Sequence, residues 1–368
     1  MARKPVGEAN LGLFCTKTQL SLVRNVRGAV FPGRMATRPA KALGVHLGEA
    51  LRRAAEARGM RAEDVTDDDD LTEIGAIYHG MTAREHRPPG YRLVRLDDAQ
   101  GEWTVWCELM SANHLTFSVA GTGLDFVAEA ERLRAFVDGL DGDLGYASDP
   151  TLGYLTAQPM LLGTGFRIRS MVHVGGLAHF GYLRELCNAA EAKGALVELD
   201  RTDVTPPGAL VIIFNRFSLG FGVREIAERF RAFLVRVSEQ ETEARWRLFR
   251  DEPFVFLDLL TRAKAVLKTA LLMSEQEALD LLSDLRLGLT TGAISARKVD
   301  PLAPHWFDDA TDRVFFRAHG RALRRKHALP HDVDADPSLR DEALRAEWLR
   351  PLANFAFSRE LIERADEQ

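Results

Sequence analysis

At 368 residues, with 46% hydrophobic and 27% charged side chains, the chain has the size and composition of one large or two smaller globular domains. A net charge of −5 gives no whole-chain attraction for nucleic acid or an anionic membrane, and no apolar run reaches the roughly 18 residues of a bilayer span. The leader MARKPVGEANLG lacks the apolar core of a signal peptide, and Cys15, Cys107 and Cys187 lack metal spacing, so the expectation is a cytoplasmic protein with reduced thiols.

Residues Thr18 to Pro32 read as a short strand and a turn, and Pro39 to Met60 as an amphipathic helix carrying Leu43, Leu47 and Leu51 on one face. The run Asp67 to Asp70 reads as a solvated loop or helix cap. Tyr91–Leu96, Trp103–Leu109 and His114–Val119 alternate apolar and polar residues as strands, with Asp97 to Gly101 as a turn between the first two. Helices are expected at Leu124–Leu140, Gly176–Lys193 and Val223–Glu239, with strands at Ala195–Leu199 and Ala209–Phe217. From about Phe254 onward the pattern is almost wholly helical, with breaks near Lys298–Pro304 and Pro330–Pro337. This is an α+β chain with an antiparallel sheet flanked by helices over 1–250 and a helical domain over 251–368.

The richest stretch runs from Gly145 to His179. Gly163-Thr164-Gly165 places a pliable backbone just before Arg167 and Arg169, a combination suited to close approach of an anion, or to a tight turn leading into a core strand. It lacks the Lys-Ser/Thr of a P-loop, and Ile168 occupies the place of a third dinucleotide-binding glycine.

The same stretch, through Gly153-Tyr154-Leu155-Thr156, Pro159, Gly163-Thr164-Gly165, Arg167, Ser170 and His173, resembles the central signature of ATP:guanido phosphotransferases, most of all the bacterial protein arginine kinases. Arg24-Asn25 with Phe31-Pro32, His114-Leu115, Gly194 to Val197, the helix LLSDLRLG from Leu281 to Gly288, and Arg340-Asp341 with Arg345-Ala346 extend the resemblance over most of the chain. It implies a guanido kinase-like catalytic domain, a helical carboxy-terminal domain, and phosphoryl transfer from ATP, with Mg²⁺, to protein arginine.

That chemistry needs arginines around a triphosphate and a carboxylate on the guanidinium. At the positions the resemblance assigns to clamping arginines stand Gln19, Ser21, Thr116 and Glu198, which leaves Arg167 as the matching cation. Ser111 and Ala112 stand at the paired catalytic glutamates, Asn113 at the following aspartate and Gln158 at the thiolate cysteine. Asp203 is a remnant carboxylate, and Arg24, Gly163, Gly165, Arg167 and Arg169 are the residual nucleotide-side candidates. The expectation is a dismantled site with neither cofactor nor metal, in a phosphoarginine-binding, regulatory or scaffold pseudokinase; the alternative is an active kinase rearranged around Arg167, Arg169, Arg201 and Asp203, using ATP and Mg²⁺. A third possibility is a new activity on the same fold.

His114 and His173 lie on alternating strands and read as structural. Arg340, Asp341 and Arg345 form the candidate phosphoarginine receptor, one residue longer than the family's pattern; a surface ion pair is the other reading. The basic run His319 to His327 reads as a helix face, and Asp332 to Asp336 fails as a calcium loop because Pro337 occupies its glycine position. The partners implied are phosphoarginine-bearing or arginine-rich clients, an active kinase or proteolysis machinery in a stress response, and a second copy in a homodimer. Nucleic acid and membrane are not among them.

Overall fold

The computed structural model describes residues 14–65, 87–121, 123–198, 206–296 and 336–367. Asp67 to Asp70, Arg201, Asp203, His319 to His327 and Asp332 to Ala335 lie outside the described residues. The strands are β1 (Cys15–Arg24), β2 (Arg61–Asp64), β3 (Arg92–Asp97), β4 (Thr104–Leu109), β5 (Leu115–Gly121), β6 (Ser148–Asp149), β7 (Gly153–Tyr154), β8 (Phe166–His173), β9 (Ala195–Glu198), β10 (Leu210–Asn215), β11 (Ile294–Ala296) and β12 (Phe355–Phe357). The helices, numbered independently, are α1 (Thr37–Glu56), α2 (Val127–Gly139), α3 (Asp141–Leu144), α4 (Gly175–His179), α5 (Leu183–Ala192), α6 (Val223–Asp251), α7 (Pro253–Thr269), α8 (Glu275–Thr290), α9 (Pro337–Leu349) and α10 (Arg359–Asp366).

Eight strands form one sheet in the order β2-β3-β4-β5-β1-β8-β10-β9, antiparallel at every step. Strand alternation divides its residues between two faces. Leu20, Leu22, Ile168, Phe117, Val119, Cys107 and Ile213 point into a core that also takes Leu47 and Leu51 of α1, Leu133 of α2, and Phe230 and Leu234 of α6. The opposite face carries Gln19 and Ser21 of β1, Cα-paired with Arg169 and Arg167 of β8, and Ser118 and Thr116 of β5, paired with Ser21 and Val23.

A second core, from Leu248 to Leu361, is built by the end of α6, α7, α8, α9 and α10 with the β11–β12 pair. Side chains of Ser274, Asp336 and Ser358 cap α8, α9 and α10, and Pro337 follows its cap at the first helical position, where its missing N–H costs nothing.

The structure corrects three boundaries. The helix expected over Gly176–Lys193 is two, α4 and α5, broken at Gly181, whose φ is +74°. The helix expected to stop at Glu239 runs on to Asp251 because the polar stretch beyond it includes the buried residues Glu241 and Arg245. The β11–β12 pair replaces part of the expected all-helical carboxy-terminal pattern.

Candidate functional site

The Gly163–Gly165 loop spends its glycines on its own backbone. A Cβ at Gly165 would lie 2.4 Å from Val23 O, and one at Gly163 would lie 2.7 Å from Ser218 O, with φ at +66° and +97°. Tight packing between loop, β1 and the segment after β10 therefore accounts for both glycines. Asn215 completes the fastening: its Oδ1 accepts from Ile168 N (2.8 Å) and its Nδ2 donates to Phe166 O (3.1 Å).

Arg24 belongs to the same fastening, which corrects its expected place on a nucleotide. Its guanidinium is 1% exposed, donates to Val23 O (2.9 Å) and Thr164 O (2.8 Å), pairs with Asp138 at 3.0 Å, and lies 3.6 Å from the centre of the Tyr154 ring. With Nη1 held by the two carbonyls and Nη2 by the carboxylate, it positions the loop and does not face a ligand, and its Nε is buried without a hydrogen-bond partner. Burial raises the Tyr154 hydroxyl above its ordinary pKa, against the opposing pull of Arg24.

Arg167 and Arg169 stand side by side along β8 on the polar sheet face, both half-buried. Arg167 donates to Met160 Sδ at 2.6 Å and its guanidinium carbon lies 5.3 Å from the Phe214 ring. Across β1 they meet neutral groups. Ser21 Oγ hydrogen-bonds Ser118 Oγ at 2.9 Å, and Gln19, 5% exposed, buries its Oε1 without a hydrogen-bond partner. Glu198 is paired with Ile212 near the sheet's far edge.

The β4–β5 turn supplies the other half of the site. Met110 adopts φ +56°; Ser111 is buried, Ala112 exposed, and Asn113 is 2% exposed. Asn113 Oδ1 accepts from Asn25 Nδ2 (2.8 Å) and Ala157 N (2.7 Å), while its Nδ2 donates to Gln158 Oε1 (2.9 Å). Asn25 also donates to Leu155 O (3.0 Å) and accepts from His114 N (2.9 Å). The result is a chain of three amides, Asn25, Asn113 and Gln158, whose donors and acceptors match one another. Two of its members are the residues that stand at an acid and a thiolate in the resemblance. An amide neither accepts a substrate proton usefully nor stabilises a metal ion as a carboxylate would. Among the described residues no three His, Cys, Asp or Glu side chains gather into a metal-holding cluster.

Both histidines are structural, as expected. Val26 N donates to His114 Nδ1 (3.1 Å), which fixes the proton on Nε2, facing Val30 O at 3.0 Å. His173 Nδ1 receives Arg245 Nη2 at 2.8 Å, so its Nε2–H donates to Ser283 Oγ at 2.8 Å. Burial lowers the pKa of His114, and burial with Arg245 and Arg286 lowers that of His173 well below the ordinary value of 6.5.

Sequence reading missed the group that joins the two cores. Glu241 and Arg245 of α6 pair at 2.6 Å, 1% and 5% exposed. Glu241 accepts from Gly176 N (2.8 Å) and Leu177 N (2.9 Å) at the start of α4, and Arg245 reaches His173 at the end of β8, which in turn reaches Ser283 on α8. On α8, Asp280 accepts from Gly208 N (2.7 Å), and burial with the neighbouring Asp280 charge pushes Asp284 up to about 8.

These shifts set a pH profile. Below 6.5 the unfolded chain takes up protons that native His114 and His173 refuse, so stability falls as pH drops through 6.5. Asp284 runs the other way, holding a proton in the fold that the unfolded chain releases, so its contribution shrinks as pH rises from 3.8 to about 8. Urea titrations should place maximum stability near pH 6.5. Asp284→Asn should flatten the decline toward pH 8; a profile still rising there would overturn the assignment.

At the carboxy terminus, Arg340, Asp341 and Arg345 lie on α9, all half-buried. Arg345 Nη1 donates to Met273 O at 2.7 Å. Asp341 and Arg345, one turn apart, share a helix face, while Arg340 is turned about 100° from Asp341 and about 140° from Arg345 at 3.6 residues per turn.

This sheet, with a glycine loop and an arginine-bearing strand beside the β4–β5 turn, is the architecture of guanido kinases. The profile of the ATP:guanido phosphotransferase C-terminal catalytic domain matches residues 56–244, and that of the protein-arginine kinase McsB C-terminal domain matches residues 254–304. The chain belongs to the ATP:guanido phosphotransferase family. It is 26% identical to a protein-arginine kinase of Clostridium novyi over 283 residues, covering 76% of this chain and 81% of that one. It is 38% identical to one of Moorella thermoacetica over 162 residues, 44% of this chain and 46% of that one. In fold it is similar to the duplicated taurocyamine kinase of Schistosoma mansoni, with a TM-score of 0.51 at 17% identity, over 73% of this chain and 41% of that one. No helix among the described residues is long and apolar enough to cross a membrane.

Proposed function

We propose that this protein is a protein arginine kinase-like pseudokinase: a phosphoarginine-binding or regulatory scaffold protein that does not transfer phosphate. The observation that carries the reading is the closed amide chain Asn25–Asn113–Gln158, which fills the turn where the family chemistry calls for an acid and a thiolate. Asn25 donates to Asn113 and Asn113 to Gln158, and the three amides hold no group of useful basicity. Ser21 and Gln19 extend the same neutralisation along β1, opposite Arg167 and Arg169. On this reading ATP and Mg²⁺ are not needed, and what is retained is recognition: Arg345, Arg340 and Asp341 on α9 supply the guanidinium and carboxylate chemistry suited to phosphoarginine. Its setting is the cytoplasm, as a homodimer or beside an active protein arginine kinase, in a stress-response pathway that delivers marked clients to proteolysis.

The test is label transfer from γ-labelled ATP with Mg²⁺ to an arginine-rich acceptor protein at high concentration of the full chain. No acid-labile label is expected on arginine, and a phosphoarginine-bearing peptide should bind in calorimetry, more weakly to Arg345→Ala. Label that disappears in Arg167→Ala would overturn the pseudokinase reading and favour an active site rearranged around Arg167 and Arg169. Absence of peptide binding would remove the receptor role.

A further inference from the structure

A groove of about 730 Å³ runs between α5 and α6 beside the start of β9, on the far side of the sheet from the polar face. Its floor is apolar, with Ile226, Phe230 and Phe233 among the lining residues, and Phe217 and Phe221 stand at its mouth, 50% and 37% exposed. Its walls are low where another chain would enter: Ala189 and Ala192 on α5 and Ala232 on α6 are exposed. Among the described lining residues Lys193, Arg229 and Arg236 carry positive charge and none carries negative charge. Arg229 lies over the Phe221 ring at 4.3 Å and pairs with Glu225 outside the groove; Arg216, at the mouth, lies over Phe217 at 5.0 Å and pairs with Glu191.

We infer that this groove docks an amphipathic helix of a partner protein, with apolar side chains against the exposed Phe217 and Phe221 over the buried floor of Phe230 and Phe233, and carboxylates along the Arg229–Arg236–Lys193 rim. The lining stretch of α6 from Ile226 to Gln240 is about 21 Å long at 1.5 Å per residue, room for roughly four helical turns. Three alanines on the walls let a third helix axis come within the usual 8–10 Å of its neighbours. The charge selects the partner. A second copy placed symmetrically on this face would set Arg229, Arg236 and Lys193 against their own equivalents, whereas an acidic helix meets them with opposite sign. An apolar seam with charged flanks is the helix-in-groove mode of recognition. The residues proposed to contact the partner are not on the polar sheet face; Asn215, which also lines the groove, is the one residue it shares with the fastening of the glycine loop.

The experiment uses the full chain and three probes: a fluorescent helical peptide of Leu, Phe and Glu with one apolar face, a twin with Lys for every Glu, and phosphatidylserine vesicles. The acidic peptide should bind and weaken with salt, and the lysine twin should bind at least about tenfold more weakly. Ala189→Trp and Ala232→Trp fill the groove from exposed positions without removing a buried contact, and each should weaken binding by about tenfold or more with an unchanged circular dichroism spectrum. Arg236→Glu should do the same and restore binding to the lysine twin. Equal binding of the two peptides, binding indifferent to both tryptophans, or vesicle binding lost on groove filling would each overturn the proposal. So would dimerisation in light scattering that Ala232→Trp abolishes, since that result assigns the face to a second copy.

Discussion

Glu241→Ala is expected to lower stability by about 3–5 kcal/mol, more than any exposed-charge substitution in the chain. The carboxylate is 1% exposed and satisfies three donors: Arg245 Nε and the Gly176 and Leu177 amides. Removing it leaves a buried guanidinium uncompensated and strips the start of α4 of its acceptor, so the full desolvation cost of the remaining groups appears. The effect should spread across the two cores, because Arg245 also holds His173, and His173 holds Ser283 of α8. A double variant, Glu241→Met with Arg245→Met, should cost less than the sum of the two single changes, since no charge is then stranded. Denaturant midpoints for the four proteins measure this directly. Additive costs would mean that the pair is not the unit the geometry describes.

Why the sequence showed the sheet and not this network follows from where the partners lie. Strand alternation is a local signal, so β3, β4 and β5 could be placed within two residues, and the family resemblance extended over both domains. The network pairs residue 241 with 176 and 173 with 283, separations of 65 and 110 that leave no spacing rule to read. It also disguised itself. A buried Glu and Arg interrupt the apolar period of α6, so the helix read as ending at Glu239, whereas the charged side chains satisfy each other inside it. Gly181 had the reverse effect, passing for a tolerated glycine within one helix when its φ of +74° ends α4 and lets the chain turn into α5.

The site positions were legible one by one and their relations were not. Asn113 and Gln158 read as two separate losses; only the 2.9 Å contact between them makes one neutral replacement unit. Arg24 was legible as an arginine of an anion-binding family and misread for that reason, since nothing local reveals Tyr154 and Asp138 closing over it.

Arg24→Ala should therefore act on stability first, with an expected loss of about 3–4 kcal/mol. The variant deletes a 1%-exposed side chain that donates to two carbonyls and one carboxylate and stacks on an aromatic ring, and it leaves Val23 O, Thr164 O and the face of Tyr154 without their partner. Arg24→Lys keeps the charge and loses the planar fork, so it should recover only part of the deficit. Asp138→Asn is the discriminating control: the carboxylate is about a third exposed and also pairs with Arg134, so its neutralisation should cost well under half as much. A ligand-facing arginine would give the opposite pattern, with little change in the denaturant midpoint and a loss confined to binding. Because Thr164 sits between the glycines that pack on Val23 and Ser218, the loosening in Arg24→Ala should appear in hydrogen exchange at the Phe166 and Ile168 amides before it reaches the rest of β8.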